Sequence, residues 1–181
     1  KIFFLSNLIE SKGILILLDA LNLLKKQQLS FICKIVGGEG DLKASDIEER
    51  ITKYELNDTV SYLGRKTGND KYDLYEESDI FVFPTFYHNE CFPLVLLEAM
   101  SFGLTLVSTN EGGIPDILVD NVNGFIVDKK NYKSLAKTLT KLVKNPEMSN
   151  KMGKQSKIMF DQKYTVDIFE KQFVNLIKKI H

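Results

Sequence analysis

Asp79-Ile-Phe-Val-Phe-Pro-Thr-Phe-Tyr-His-Asn-Glu90-Cys-Phe-Pro-Leu-Val-Leu-Leu-Glu98-Ala-Met-Ser-Phe-Gly103-Leu-Thr-Leu-Val-Ser108 is the stretch that decides the fold. Ile80 to Phe83 is apolar at every position, so neither face of that strand meets water. Phe92 to Phe102 reads as a helix. Pro93 is expected as its first residue, where a missing N–H costs nothing, and Gly103 stops it. Leu104 to Ser108 is again an apolar strand. A buried strand, a helix and a second buried strand make a parallel crossover unit.

The same alternation continues on both sides. Ile2 to Leu5, Phe31 to Val36, Val60 to Leu63 and Gly124 to Val127 read as further strands. Gly13 to Lys26, Asp41 to Tyr54 and Asn69 to Glu77 read as helices, as do Tyr132 to Lys144, Pro146 to Phe160 and Val166 to Ile180. The predicted architecture is α/β, a Rossmann-like doubly wound parallel sheet with helices on both faces. No internal repeat or low-complexity segment interrupts it, and residues 1–181 read as one domain. The chain starts directly in a strand and without Met, which reads as the second half of a longer protein.

Ligands of such sheets bind at the carboxyl ends of the strands. The loops there are Ser6 to Lys12, Gly37 to Asp41, Gly64 to Asp70, Pro84 to Phe92 and Thr109 to Asp116. Two carboxylates flank one of them. Glu90 falls in the loop and Glu98 inside the helix that follows, one turn beyond Leu94. An ionised carboxylate accepts several hydrogen bonds, so such a pair suits a ligand rich in hydroxyls, such as a ribose. Between them the N–H groups of Leu94 and Val95 point out of the helix start, a seat for an anion such as a diphosphate. Glycine pairs at the neighbouring strand ends, Gly37-Gly38 and Gly112-Gly113, permit close backbone approach. Lys12, before Gly13, can reach a phosphate, and its alternative is a solvated lysine. His88 reads as a solvated loop residue, and Cys91 as packing.

Composition excludes other classes. Formal net charge is zero, so no basic footprint for nucleic acid exists. Arg50 and Arg65 are the two arginines among 22 lysines, which argues against arginine-rich phosphate recognition. Cys33 and Cys91 have no metal-ligand spacing, and two cysteines make no disulfide framework, so the reduced cytosol is the expected compartment. No apolar run reaches about 18 residues, the length of a membrane span.

Asn89-Glu90-Cys-Phe-Pro-Leu-Val-Leu-Leu-Glu98-Ala-Met, followed by Gly112-Gly-Ile-Pro-Asp116 and Asn123-Gly-Phe, resembles group 1 (family 4) glycosyltransferases. Ser6-Asn-Leu-Ile-Glu-Ser-Lys12-Gly13 resembles that family's first strand-to-helix opening. The resemblance runs from Ile2 to Phe173 and corresponds to the carboxy-terminal half of those enzymes. It implies one half of a GT-B fold, binding a nucleoside diphosphate sugar. Glu90 would then be the catalytic carboxylate at the donor sugar and Glu98 the ribose ligand. Phe92, Pro93, Leu94 and Val95 would present backbone to donor oxygens, and Lys12 would meet the diphosphate. Gly38, Gly112 and Gly113 complete the expected donor site. The family usually has an Arg just before the Leu of the opening loop, and this chain has Asn7 there. Arg65 and Lys66, after the third strand, are the candidates to compensate.

The implied reaction is sugar transfer with retention to an acceptor hydroxyl, with no cofactor and no bound metal. The implied partners are the donor, the amino-terminal domain of the same protein, and an acceptor saccharide or lipid-linked saccharide. The expected location is cytoplasmic, or peripheral at the cytoplasmic membrane face through the other half. The isolated domain would bind donor weakly at most and would not turn over. Two alternatives stay open: a non-catalytic nucleotide-sugar binding or regulatory domain, which Asn7 favours, and half of a nucleotide-sugar epimerase.

Overall fold

The structure, a computed structural model, describes residues 1–180. Six strands form one parallel sheet: β1 (Ile2–Leu5), β2 (Cys33–Val36), β3 (Val60–Tyr62), β4 (Ile80–Phe83), β5 (Thr105–Ser108) and β6 (Gly124–Ile126). Their order across the sheet is β3-β2-β1-β4-β5-β6. The chain winds outward from β1 in one direction and from β4 in the other, as the sequence predicts. The helices are α1 (Ile14–Lys26), α2 (Ala44–Lys53), α3 (Gly68–Glu76), α4 (Leu94–Ser101), α5 (Ile114–Ile117), α6 (Tyr132–Lys144), α7 (Pro146–Lys163) and α8 (Val166–Ile180). α1 packs on α2 and α6, while α4 packs on α7. Right-handed crossovers in two opposite directions put these two groups on opposite faces.

β1 and β4 meet where the order reverses. β1 pairs with β2 over four residues, Ile2 to Leu5, but with β4 only at Ile2–Ile80 and Phe3–Phe81. The pairing of the two central strands therefore stops short of their carboxyl ends, the place where sheets of this order have their ligand crevice. Phe3, Phe4, Phe81 and Phe83 fill the sheet beneath it and are buried. Phe3 and Tyr75 meet edge to face with ring centroids 4.9 Å apart, an arrangement aromatic pairs favour. Cys33 is buried in β2, and both cysteines are free thiols.

Several boundaries differ from the sequence reading, each for a local reason. Pro93 is not the first helical residue. Its φ of −72° is the ordinary proline value, but ψ of 108° is extended, so Pro93 caps α4 and Leu94 begins it. α2 starts at Ala44 rather than Asp41, because two carboxylates fix its opening. Asp46 Oδ2 accepts from Lys43 N at 2.7 Å, and Glu39 Oε1 accepts from Ala44 N at 2.9 Å. The acidic residue of the Gly-Gly-Glu-Gly turn is thus a helix cap. Residues 114–117, predicted as loop, form the short α5, whose opening turn carries Pro115. Phe31 lies outside β2, and α7 runs past Phe160 to Lys163.

α8 differs from the rest. Val166, Phe169, Phe173, Val174, Leu176 and Ile177 are 42–70% exposed. They recur at helical spacing along one side, so an apolar stripe of α8 faces outward. No helix among the described residues is long and apolar enough to cross a membrane.

Candidate functional site

The loops at the carboxyl ends of the strands are tied into one web by their own backbone. Leu8 N donates to Gly38 O at 2.8 Å, and Gly37 N to Gly64 O at 3.0 Å. Across the crevice, Phe86 N donates to Ser11 O at 2.7 Å. Further along, Thr109 Oγ1 donates to Thr85 O at 2.6 Å, and Gly113 N to Cys91 O at 2.8 Å. Buried loop backbone must find partners, and here each loop supplies those of its neighbour.

Lys12 ends a 3-10 turn, Glu10–Lys12, which enters the crevice from the β1 side. Gly13 follows with φ +87°, and a Cβ there would stand 2.2 Å from Pro84 O. Only glycine lets the two walls approach so closely. Lys12 Nζ lies 2.6 Å from Glu90 Oε2, and the side chains are 16% and 9% exposed. The ammonium also sits 4.3 Å from the Tyr87 ring centroid and 5.6 Å from that of Phe83. Thr85 Oγ1, fully buried, lies 3.3 Å from the same Glu90 oxygen. The predicted sugar-binding carboxylate and the predicted diphosphate cation are therefore partners of each other.

Gly112 holds that arrangement from behind. Its φ is +51°, and a Cβ would fall 1.4 Å from Glu90 O. A Cβ on Gly113 would fall 2.3 Å from Cys91 O. These glycines face the backbone of the Glu90 loop. They support the loop that carries the carboxylate.

Glu98 projects from α4 toward α3. Its Oε1 accepts from Lys71 Nζ at 2.7 Å, and its Oε2 accepts from Tyr75 Oη at 2.9 Å. Burial and then the neighbouring Glu98 charge hold the Tyr75 hydroxyl well above the usual phenol range, so it stays protonated and donates. Lys71 and Tyr75 escape a sequence reading because they lie outside the loops, on one side of a helix separated by one turn. That spacing was the available signal. Lys129 pairs with Glu111 at 2.8 Å beside Gly112, and Lys130 stands 4.7 Å from the Phe86 ring, two more cations on this edge that motif reading did not flag.

Between the carboxylates, α4 opens. Leu96 N bonds Pro93 O at 3.0 Å, which leaves the N–H groups of Leu94 and Val95 at the tip. Phe92 and Leu94 are 42% and 67% exposed around them. On the other side, Gly38 lies between two polar side chains. From its Cβ position Asn7 Oδ1 is 3.5 Å away and Arg65 Cδ 3.9 Å. Among the described residues, Arg65 has no carboxylate within ion-pair distance. His88 is exposed beside Tyr87, as expected of a solvated loop residue. Among the described residues no group of His, Cys, Asp and Glu could hold a metal ion.

Comparison with known proteins fits this geometry. The family described as Glycosyl transferases group 1 matches residues 1–159. O-antigen chain mannosyltransferase C of Escherichia coli is 32% identical over 166 residues, covering 91% of this chain and 43% of that protein. Amylovoran biosynthesis glycosyltransferase AmsK of Erwinia amylovora is 32% identical over 146 residues, 78% of this chain and 35% of that protein. The chain thus spans less than half the length of these relatives. Anabaena Alr3699/HepE, solved in complex with UDP, superposes with a TM-score of 0.87 at 22% identity, over 98% of this chain and 48% of that one. The architecture is that of one domain of a GT-B enzyme. Strand order, crevice and the matched sequence agree: the chain belongs to the group 1 glycosyltransferases.

Proposed function

We propose that this chain is the donor-binding domain of a retaining, metal-independent glycosyltransferase. It would take a sugar from a nucleoside diphosphate sugar, for transfer to the hydroxyl of an acceptor saccharide or lipid-linked saccharide. The observation that carries this reading is the arrangement around α4. Two unbonded N–H groups are flanked by a carboxylate held by Lys12 and another held by Tyr75 and Lys71. The diphosphate would sit at the helix start and draw on Lys12, while Glu98 would accept from the vicinal hydroxyls of the ribose. Releasing Lys12 from Glu90 would free that carboxylate to face the sugar. Cation and helix dipole would then stabilise negative charge on the departing diphosphate.

The UDP complex of the HepE protein supports a nucleotide as the ligand of this fold. The amylovoran and O-antigen relatives support a role in polysaccharide assembly, which would place the protein on the cytoplasmic side. The exposed stripe of α8 offers an apolar surface for the amino-terminal half. Asn7 favours a non-catalytic binding domain, but Arg65, whose Cδ lies on the other side of Gly38 from Asn7, would supply a compensating cation.

Glu98→Ala tests the assignment by calorimetry. UDP and GDP should both lose about 1.5–3 kcal/mol, the worth of hydrogen bonds to a charged group. Pyrophosphate, which has no ribose, should bind no more weakly than before. Unchanged affinity for both nucleotides in a folded variant would remove Glu98 from the site.

A further inference from the structure

Tyr164 lies far along the chain from every motif above, yet it touches two of them. It caps α7 and stands immediately before the turn into α8. Its hydroxyl donates to Asp116 O at 2.7 Å, and its ring faces Phe92 with centroids 6.2 Å apart. Asp116 belongs to α5, which follows Gly112-Gly113, and those glycines press on the backbone of Glu90 and Cys91. Phe92 follows the same two residues. One side chain therefore bears on the Glu90 loop through the loop itself and through the turn that supports it. Burial, and then the Asp116 charge, push the Tyr164 hydroxyl up, which keeps it a donor.

We propose that Tyr164 is a positioning residue for the donor site, holding the Glu90–Phe92 loop and the Gly113–Asp116 turn in one arrangement from the joint between α7 and α8. This rests on the donor-binding reading given above. The ring contact limits where Phe92 can move, and the hydroxyl fixes the turn that backs Glu90. Two contacts from a single rigid group remove relative motion between the segments, which is the requirement for a preorganised site.

Cys91 supplies a local reporter. Contrary to its sequence reading as a packing residue, it is exposed in the loop in question, whereas Cys33 is fully buried, so reaction of the folded chain with an aromatic disulfide reads Cys91. The variants are Tyr164→Phe, which loses only the hydroxyl, and Tyr164→Ala, which loses both contacts. Both are compared with the parent chain for thermal melting, Cys91 reaction rate and UDP affinity. The expected result is a graded one. Tyr164→Ala reacts at Cys91 several-fold faster and binds UDP about tenfold more weakly, while Tyr164→Phe falls between it and the parent, with melting only slightly changed. If Tyr164→Ala does not fold, the graded expectation rests on Tyr164→Phe, which keeps the ring. Unchanged Cys91 reactivity and unchanged UDP affinity in folded variants overturn the proposal. Absence of UDP and GDP binding by the parent chain even at millimolar nucleotide, where weak binding would register, overturns the donor reading itself, and the thiol rates still report whether Tyr164 restrains the loop.

Discussion

Glu90 and Glu98 stand eight positions apart, and the molecule holds them in opposite ways. Glu90 is 8% exposed and is gripped from three separate segments: Lys12 before α1, Thr85 after β4, and Gly112 behind its backbone. Glu98 has a side chain 32% exposed and is gripped by α3 alone, through Lys71 and Tyr75. The first carboxylate is placed by tertiary closure of the whole carboxyl edge. The second is placed by two neighbouring helices. Damage at the Glu90 end should therefore spread into the fold, and damage at the Glu98 end should stay local.

The largest effect is expected from Lys12→Ala. It leaves the Glu90 carboxylate nearly buried with only the Thr85 hydroxyl, and breaking one side of such a pair costs about 3 kcal/mol. Urea denaturation should show that loss, and Lys12→Met combined with Glu90→Gln should recover most of it. A loss below about 1 kcal/mol would mean the pair behaves like a surface one and the contrast with Glu98 is wrong.

Gly112→Ala comes next. A Cβ 1.4 Å from Glu90 O forces the loop to move. The cost should be about 2–3 kcal/mol, as for other overpacked sites, and the melting temperature should fall by about 5–10 °C. Gly64→Ala is the control. Its φ is +67° but nothing lies within 4 Å of the new Cβ, so only the backbone strain of about 1–2 kcal/mol applies. Equal melting of the two variants would show that φ, and not the Glu90 loop, sets the loss.

The smallest effects belong to the Glu98 end and sharpen the comparison from within. Tyr75→Phe keeps the buried ring and removes the hydroxyl from Glu98, which should cost about 1.5 kcal/mol. Lys71→Ala removes a partner that water can replace, so less than about 1 kcal/mol is expected, shrinking further at high salt. If Lys71→Ala proves the costlier of the two in the same denaturation assay, the ion pair and not the buried phenol orients Glu98.

The contrast also explains what a sequence reading can find. The sheet was legible because Ile80 to Phe83 and Leu104 to Val107 carry apolar residues on both faces, a pattern that depends on nothing distant. Glu90, Glu98 and Lys12 were legible through the loops that carry them. Their pairing was not, because a contact between residues 12 and 90 arises only when β1 and β4 come together. Lys71 and Tyr75 lie on a helix without any motif and Tyr164 at the end of another, and only packing brings them near Glu98 and the Glu90 loop. Gly112 and Gly113 were correctly marked as points of close approach, but the approaching group is the chain's own backbone.

The ion pair between Lys12 and Glu90 has one more consequence. A site with a bare ammonium would be occupied by whatever small anion is abundant, and free phosphate would compete with every nucleotide. Here the cation at this end of the crevice is already satisfied. A lone phosphate gains little by displacing Glu90, since one attraction is exchanged for another. On the donor-binding reading, a ligand that also engaged the α4 N–H groups and Glu98 would gain enough to make the exchange favourable. The pair would thus set a threshold that only simultaneous contacts could cross, a coincidence requirement built from two opposite charges.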